Sequence, residues 1–303
     1  MLSGGKMETY LPDFFIEKIK SEYNEDECQK ILEGLSKKRK SSFRINRLKV
    51  DSKEIEKILH GENIAFTKSS FFEDAYIVDD IEKVRNLSIY SEGMIYVQSI
   101  SSMVPPIVLD PKENEDILDM CAAPGGKTTE LASLSNGRSH ITACEMNKIR
   151  FEKLKYNKEL QAANNVFLMQ KDARNLDDFL KYDKILLDSP CSSSGTIYAY
   201  DKSISKYFTE DLIKKSVKSQ RNLVSKAIKL LKKGGILVYS TCSILKEENE
   251  EIVEFILRNN DIEIEKVELD GVSKLHSRID GVVTICPTEI YEGFFVCKFR
   301  KIH

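Results

Sequence analysis

Five short, almost wholly apolar runs recur between Asp116 and Ser240, separated by segments long enough to be helices. They read DILDM (116–120), ITACE (141–145), VFLMQ (166–170), KILLD (184–188) and ILVYS (236–240). A strand with one wet face alternates apolar and polar residues, whereas a strand apolar on both faces needs cover on both sides. That is the condition of a parallel sheet wrapped by helices. Segments 127–135, 147–163 and 209–233 are expected to be those helices, the last closed by Gly234-Gly235 at a C-cap. A further helix near 246–259 follows, and VVTIC with FFVCKF suits a terminal antiparallel pair. The expected fold class is α/β, a Rossmann-like doubly wound and mostly parallel sheet.

The chain ahead of this region reads differently. Phe14, Phe15, Ile19, Cys28, Ile31 and Leu32 recur near helical spacing with a break around Asn24, which predicts two short helices. SSFRINRLKV (41–50) alternates as a half-buried strand does, and SKEIEKIL starts a helix with Ser52 as N-cap. Short strands near Ala65-Phe66 and Ala75–Val78 complete a small α+β unit, expected over 1–91, with a catalytic domain over 92–303. A chain of 303 residues holds both, each with its own core.

Composition excludes several classes. Apolar residues at 41% and charged residues at 31% describe a globular chain. The N-terminal MLSGGKMETYLPDFF lacks the basic and apolar regions of a signal peptide, and no run approaches the roughly 18 apolar residues that span a bilayer. A cytoplasmic monomer without membrane association is the expectation. The seven cysteines are scattered without CxxC spacing, which argues against a disulfide framework and against zinc or another metal. Net charge is −2, so local charge matters more than the overall field. Between Glu33 and Asp51 no acid occurs, while Lys37, Lys38, Arg39, Lys40, Arg44, Arg47 and Lys49 crowd together. This run is either a solvated face or a surface for nucleic-acid phosphates.

The loop after the first apolar run, CAAPGGKTT (121–129), resembles half of a phosphate-binding loop. A Walker A motif needs glycine where this chain has Cys121, and Pro124 removes a donor inside the loop, so an NTP-binding protein is the weaker alternative. Gly125 and Gly126 instead permit a tight turn on which a small molecule lies against backbone. Glu145 ends the second run, about twenty residues on, where a carboxylate reaches ribose hydroxyls. Asp172 follows the third run, placed for an adenine edge, and Asp188 ends the fourth. Ribose and adenine sites without a pyrophosphate cradle suit S-adenosylmethionine better than NAD.

Two cysteines stand just past neighbouring strands, Cys191 in DSPCSSSGT and Cys242 in YSTCS. Ligands of open α/β sheets bind outside the carboxyl ends of the strands, and adjacent strands lie about 4.8 Å apart, so both sulfurs can line one cleft. Each alone reads as a small core hydrophobe. Together they suit methylation of an unreactive pyrimidine carbon. A thiolate adds to C6 of cytosine, C5 becomes nucleophilic, and loss of the C5 proton after methylation lets the thiol leave. A carboxyl such as Asp188 at the N3/N4 edge stabilises the charge that develops. Chemistry alone leaves either sulfur as the nucleophile.

DMCAAPGGKTTELA, CEMNK, KDAR, DSPCS and YSTCS, in this order, resemble the motif series of the NOP/Sun (RsmB/RsmF-type) RNA cytosine-5 methyltransferases. YVQSISSMVPP (96–106) and EGFFVCKFRK (292–301) extend the likeness, which covers the chain from about Phe43. The resemblance implies that Cys121, Ala122, Ala123, Pro124, Gly125, Gly126 and Lys127 bind the cofactor's methionine part, with Glu145 at the ribose, Asp172 near the adenine and Asp188 bordering cofactor and base. It also implies that Cys242 is the nucleophile and that Cys191 assists product release. RNA, ribosomal or else transfer RNA, is the implied partner, with Lys37, Lys38, Arg39, Lys40, Arg44 and Arg47 as candidate contacts. Ser193 stands where the family often has glycine, and Thr288 follows Pro287 where many members have histidine; both are expected to alter RNA-facing loops without touching the chemistry. The chain ends at His303 without the PUA-like extension of some relatives, so substrate choice is expected to rest on the small N-terminal unit and the cleft. A non-catalytic RNA-binding module is the remaining alternative.

Overall fold

In the computed structural model, which describes residues 9–258 and 261–303, two sheets divide the chain. The reading of residues 1–8 lies outside the described residues, as does the last residue of the helix expected over 246–259. The first sheet is antiparallel with order β2-β3-β1-β4, formed by β1 (Ser41–Ile45), β2 (Phe66–Lys68), β3 (Ala75–Val78) and β4 (Ile95–Val97). Its fourth strand lies beyond Ser91, the expected end of this unit, and pairs with β1 from Phe43↔Val97 to Ile45↔Ile95.

Two helices precede this sheet, Asp13–Glu22 and Glu25–Leu35. Asn24 separates them because its side chain caps the second, and Glu27 completes a capping box by accepting back from the Asn24 backbone. The helix Ser52–Gly61 is capped by Asp51, not by Ser52 as expected: the carboxylate accepts from Glu54 N at 3.0 Å, one residue before the helical turn begins.

The second sheet comprises β5 (Asp116–Asp119), β6 (His140–Cys144), β7 (Val166–Met169), β8 (Tyr182–Asp188), β9 (Leu231–Thr241), β10 (Ile262–Glu265), β11 (Lys274–Leu275), β12 (Val283–Ile285) and β13 (Phe294–Lys301). Its order is β11-β12-β13-β9-β8-β5-β6-β7, with β10 paired to β13. The five central strands are parallel and β13 is antiparallel to β9. Residues of alternate parity along each central strand enter different cores. Leu118, Ile185, Leu187, Leu237 and Tyr239 pack with Leu223, Val224 and Ile252 from the helices Glu210–Leu230 and Glu250–Leu257. Ile117, Ile141, Ala143, Leu186 and Val238 pack with Val104, Leu131 and Leu154 from helices on the other face. Cover on both faces accounts for the uninterrupted apolar runs.

One boundary differs from expectation. The helix of 209–233 stops at Leu230, and Gly234 and Gly235 lie inside β9, where Gly234 takes φ +75°. Leu231 is already paired with Tyr182 across a register shift, so sheet pairing overrides the glycine stop signal. Because β5 lies between β6 and β8, the chain crosses to opposite sides of the first parallel strand, and the loops after β5, β8 and β9 gather where such sheets take their ligands. No helix among the described residues is long and apolar enough to cross a membrane, and no His/Cys/Asp/Glu cluster there has metal-binding geometry.

Candidate active site

The turn 120–126 joins β5 to the helix Gly126–Leu134. Gly125 caps that helix with φ +112°, where an L side chain is strained and an added Cβ would stand 3.1 Å from Leu154 Cδ1. Neighbouring groups pin the loop: Ala122 N donates to Cys144 O at 2.9 Å, Arg150 Nη2 to Ala123 O at 2.7 Å, and Asn157 Nδ2 to Pro124 O at 2.8 Å.

Two cavities meet at this loop, with Cys121 lining both. The larger, about 360 Å³, is bordered by Met120, Cys144, Glu145, Lys171 and Asp172. The smaller, about 260 Å³, is bordered by Ala122, Ala123, Pro124, Gly126, Lys127 and Asp188, with Tyr96 and Gln98 opposite. Glu145 and Asp172 thus share one cavity, and Asp188 shares the other with the loop. Gly125 borders neither and serves the turn itself.

Glu145 is 5% exposed and accepts from Asn147 N at 2.8 Å, with Arg150 at 3.6 Å. Asp172 is gripped by the Arg174 guanidinium through bonds of 2.6 to 3.0 Å, and these charge-assisted bonds hold its carboxyl below the ordinary range. Asp188 meets Lys127 Nζ at 2.7 Å and accepts from Ser240 Oγ at 2.8 Å. Burial would lower the Lys127 ammonium, but the Asp188 charge outweighs it and the group stays protonated above its usual value. A lysine so committed to a carboxylate is poorly suited to cradle a triphosphate.

The sulfurs of Cys191 and Cys242 are 3.3 Å apart. They share a hydrogen bond with unequal effect. The neighbouring sulfur first, then burial, push the Cys191 thiol well up, while the bond from Cys191 favours the Cys242 thiolate and lowers its pKa despite burial. Further bonds fix the two loops. Glu248 accepts from Ser192 N at 2.7 Å and Ser192 Oγ at 2.5 Å, and Gln220 Nε2 donates to Pro190 O at 3.1 Å. Gly195 N donates to Cys242 O at 3.0 Å, and an added Cβ on Gly195 would fall 1.9 Å from Gly293 O, which ties the two loops to the start of β13. Glu248 in a turn, Gln220 on the helix Glu210–Leu230 and Ser240 in β9 carry no sequence cue, because a polar side chain reads as ordinary surface until the tertiary fold buries it.

Two expectations are corrected. Arg44 is fully buried: it donates to Gln98 Oε1 at 3.0 Å, Gly126 O at 2.8 Å and Thr129 Oγ1 at 2.9 Å, with Glu130 at 3.7 Å. It braces the helix Gly126–Leu134 against β1, and its burial leaves it no surface for RNA. Strand alternation explains this, since Arg44 faces the catalytic domain while Phe43 and Ile45 face the small core. The rest of the basic run is divided. Arg39 is half-buried and bonds the carbonyls of Gly195, Thr196 and Tyr291; Arg47 pairs with Glu73 and Asp74; Lys40 pairs with Asp79 at 3.2 Å. Lys37 and Lys38 are exposed and have no ion pair among the described residues. The second correction concerns Ser193, expected to leave the chemistry untouched: its Oγ lies 3.4 Å from Cys242 Sγ. Thr288 does stay in a loop, its hydroxyl accepting from Ile290 N and Tyr291 N.

Comparison with known proteins bears on this geometry. The family model described as 16S rRNA methyltransferase RsmB/F matches residues 106–300, and that of the N-terminal domain of 16S rRNA methyltransferase RsmF matches residues 11–99. A tRNA (cytosine(49)-C(5))-methyltransferase of Pyrococcus abyssi is 36% identical, over 91% of this chain and 93% of its own length. Ribosomal RNA small subunit methyltransferase F of Shewanella loihica is 33% identical over 86% of this chain but 56% of its own length. The chain thus spans little more than half of that longer relative. The crystal structure of NSun6 from Pyrococcus horikoshii with SFG superposes with TM-score 0.86 at 25% identity, covering 96% of this chain and 98% of that one. A methyltransferase homologue from the same organism superposes with TM-score 0.81 at 30% identity, covering 96% and 100%.

Proposed function

The chain belongs to the 16S rRNA methyltransferase RsmB/F family, whose homologues are RNA cytosine-C5 methyltransferases, and from that premise we propose that it methylates C5 of an RNA cytosine through a Cys242–C6 adduct. The observation that carries this reading is the 3.3 Å separation of two sulfurs at neighbouring strand ends, close to two cavities that meet at the loop after β5.

S-Adenosylmethionine supplies the methyl group as an electrophilic sulfonium, and the residues present fit it. Glu145 and Asp172 offer acceptors to ribose and adenine in the larger cavity. In the smaller one, buried Asp119 Oδ1 has no hydrogen-bond partner among the described residues and is an acceptor suited to the ammonium of the amino-acid part. Burial raises the Asp119 carboxyl to about 6, and a bound ammonium would favour its ionised form further. The relative solved with SFG, an S-adenosylmethionine analogue, supports the assignment.

Cys242 adds as thiolate to C6, and the electron pair of the C5–C6 bond moves toward C5 and the N3 edge. Asp188, bordering the smaller cavity and paired with the Lys127 ammonium, holds that edge, and the proton shared by the pair offsets the charge that develops at N3. Once C5 carries the methyl group its proton passes to solvent, the electron pair left behind re-forms the C5–C6 double bond, and the C6–sulfur bond breaks so that Cys242 leaves as thiolate. Cys191 keeps its proton beside the departing sulfur and assists release. Reaching both C5 and C6 requires an unstacked base, which suits a loop or an incompletely assembled RNA in the cytoplasm.

Ribosomal RNA is the first reading, from the family's own description. Transfer RNA is the second, favoured by a match over nearly the whole tRNA relative. Incubation with labelled S-adenosylmethionine and total RNA, then bisulfite mapping, tests both. Label at a cytosine C5 in either RNA is expected; label at no cytosine overturns the proposal.

A further inference from the structure

The backbone at Ser193 is left-handed, φ +62°, a conformation that glycine adopts freely and serine at a cost. The turn is fixed by Thr196, whose N–H and hydroxyl both donate to Ser193 O, at 3.0 and 2.9 Å. A glycine would satisfy it equally well. The serine adds a hydroxyl whose oxygen is 3.4 Å from Cys242 Sγ, within reach of a hydrogen bond to sulfur. Cys242 Sγ therefore has two potential donors, the Cys191 thiol and the Ser193 hydroxyl, both from the loop after β8.

We propose that Ser193 is a positioning residue that donates its hydroxyl to Cys242 Sγ, holding the sulfur as a thiolate aimed at the substrate base. The inference deepens the reading of Cys242 as nucleophile and rests on it. The ionisable groups around that sulfur are Cys191 and Asp188 from the end of β8 and Lys127 from the cofactor-loop helix. Asp188 opposes the thiolate, while Lys127 and the Ser193 hydroxyl favour it. Lys127 is already paired with Asp188, so besides the Cys191 thiol the Ser193 hydroxyl is the donor left to the thiolate. No bond is made or broken at Ser193; its proton stays on oxygen throughout.

Ser193→Gly and Ser193→Ala separate the hydroxyl from the backbone, since both remove the donor and glycine alone relieves the left-handed strain. The direct probe is the pH dependence of iodoacetamide alkylation of Cys242, read by peptide mass spectrometry in the full chain without RNA. Both variants are expected to move the midpoint upward by about one pH unit, so that alkylation at neutral pH slows about tenfold. The acid limb of kcat/KM should move with it, and KM for S-adenosylmethionine should not change. An unmoved midpoint in Ser193→Gly overturns the proposal, and so does a shift confined to Ser193→Ala, which would trace it to the backbone. A wild-type protein that alkylates normally but transfers no methyl group to RNA would instead remove the reading of the function, while the midpoint still reports what Ser193 does to the thiol.

Discussion

The loops carrying Cys191 and Cys242 follow adjacent parallel strands and end with their sulfurs in contact, yet their surroundings push the two thiols in opposite directions. Cys191 precedes Ser192, which Glu248 grips through both backbone and side chain, and its sulfur is hydrogen-bonded to that of its neighbour. Cys242 instead lies within hydrogen-bond reach of two groups able to donate to its thiolate, Cys191 and Ser193, with the Lys127–Asp188 pair nearby. Donors stabilise a thiolate and a neighbouring carboxylate does not, so the asymmetry between the two thiols, and with it the proposed division into nucleophile and helper, lies in what surrounds each sulfur, not in the sulfurs themselves.

Removing the reactive side breaks the comparison most severely. Cys242→Ala is expected to reduce methyl transfer to background while S-adenosylmethionine binding, measured by calorimetry, is nearly unchanged; turnover within tenfold of wild type would contradict the assignment. Asp188→Asn keeps the shape of the site but removes the charge paired with Lys127. Loss of a group that stabilises developing charge costs on the order of 10² to 10³ in kcat, which single-turnover kinetics would read. Arg44→Met probes the scaffold beneath both loops. Removing one partner of a buried polar network is strongly destabilising, by about 3 to 5 kcal/mol, so urea unfolding should show a large drop in midpoint. The smallest effect is expected from Lys38→Glu at the exposed end of the basic run. If it meets a phosphate, the slope of log affinity against log salt falls by about 1, with kcat unchanged.

The same asymmetry explains what could be read from the sequence. DILDM, ITACE and KILLD announced a sheet covered on both faces because burial on two sides leaves no polar position to mislead, and the acids at their ends followed from strand direction. Glu145 and Asp172 border one cavity at these strand ends and Asp188 borders the other. Arg44 was misjudged because a basic run carries no record of which side chains point inward; one residue of strand register decides between solvent and the Glu130 carboxylate. The contact between Ser193 and Cys242 is illegible in the sequence for a related reason. A departure from glycine in a loop reads as tolerance, and the left-handed backbone that turns its hydroxyl toward Cys242 exists only once the loops from β8 and β9 are side by side. The Gly234-Gly235 pair misled in the opposite sense, since a sheet partner outcompeted a local stop signal.

The assignment of roles to the two sulfurs is tested most directly by incubating Cys191→Ala with S-adenosylmethionine and substrate RNA, resolving the products on a denaturing gel and mapping any cross-linked peptide. The account predicts a protein–RNA species that persists under denaturation, joined through Cys242 and absent from the Cys191→Ala, Cys242→Ala double variant. A cross-link through another residue, or normal turnover by Cys191→Ala with no accumulated species, would contradict it.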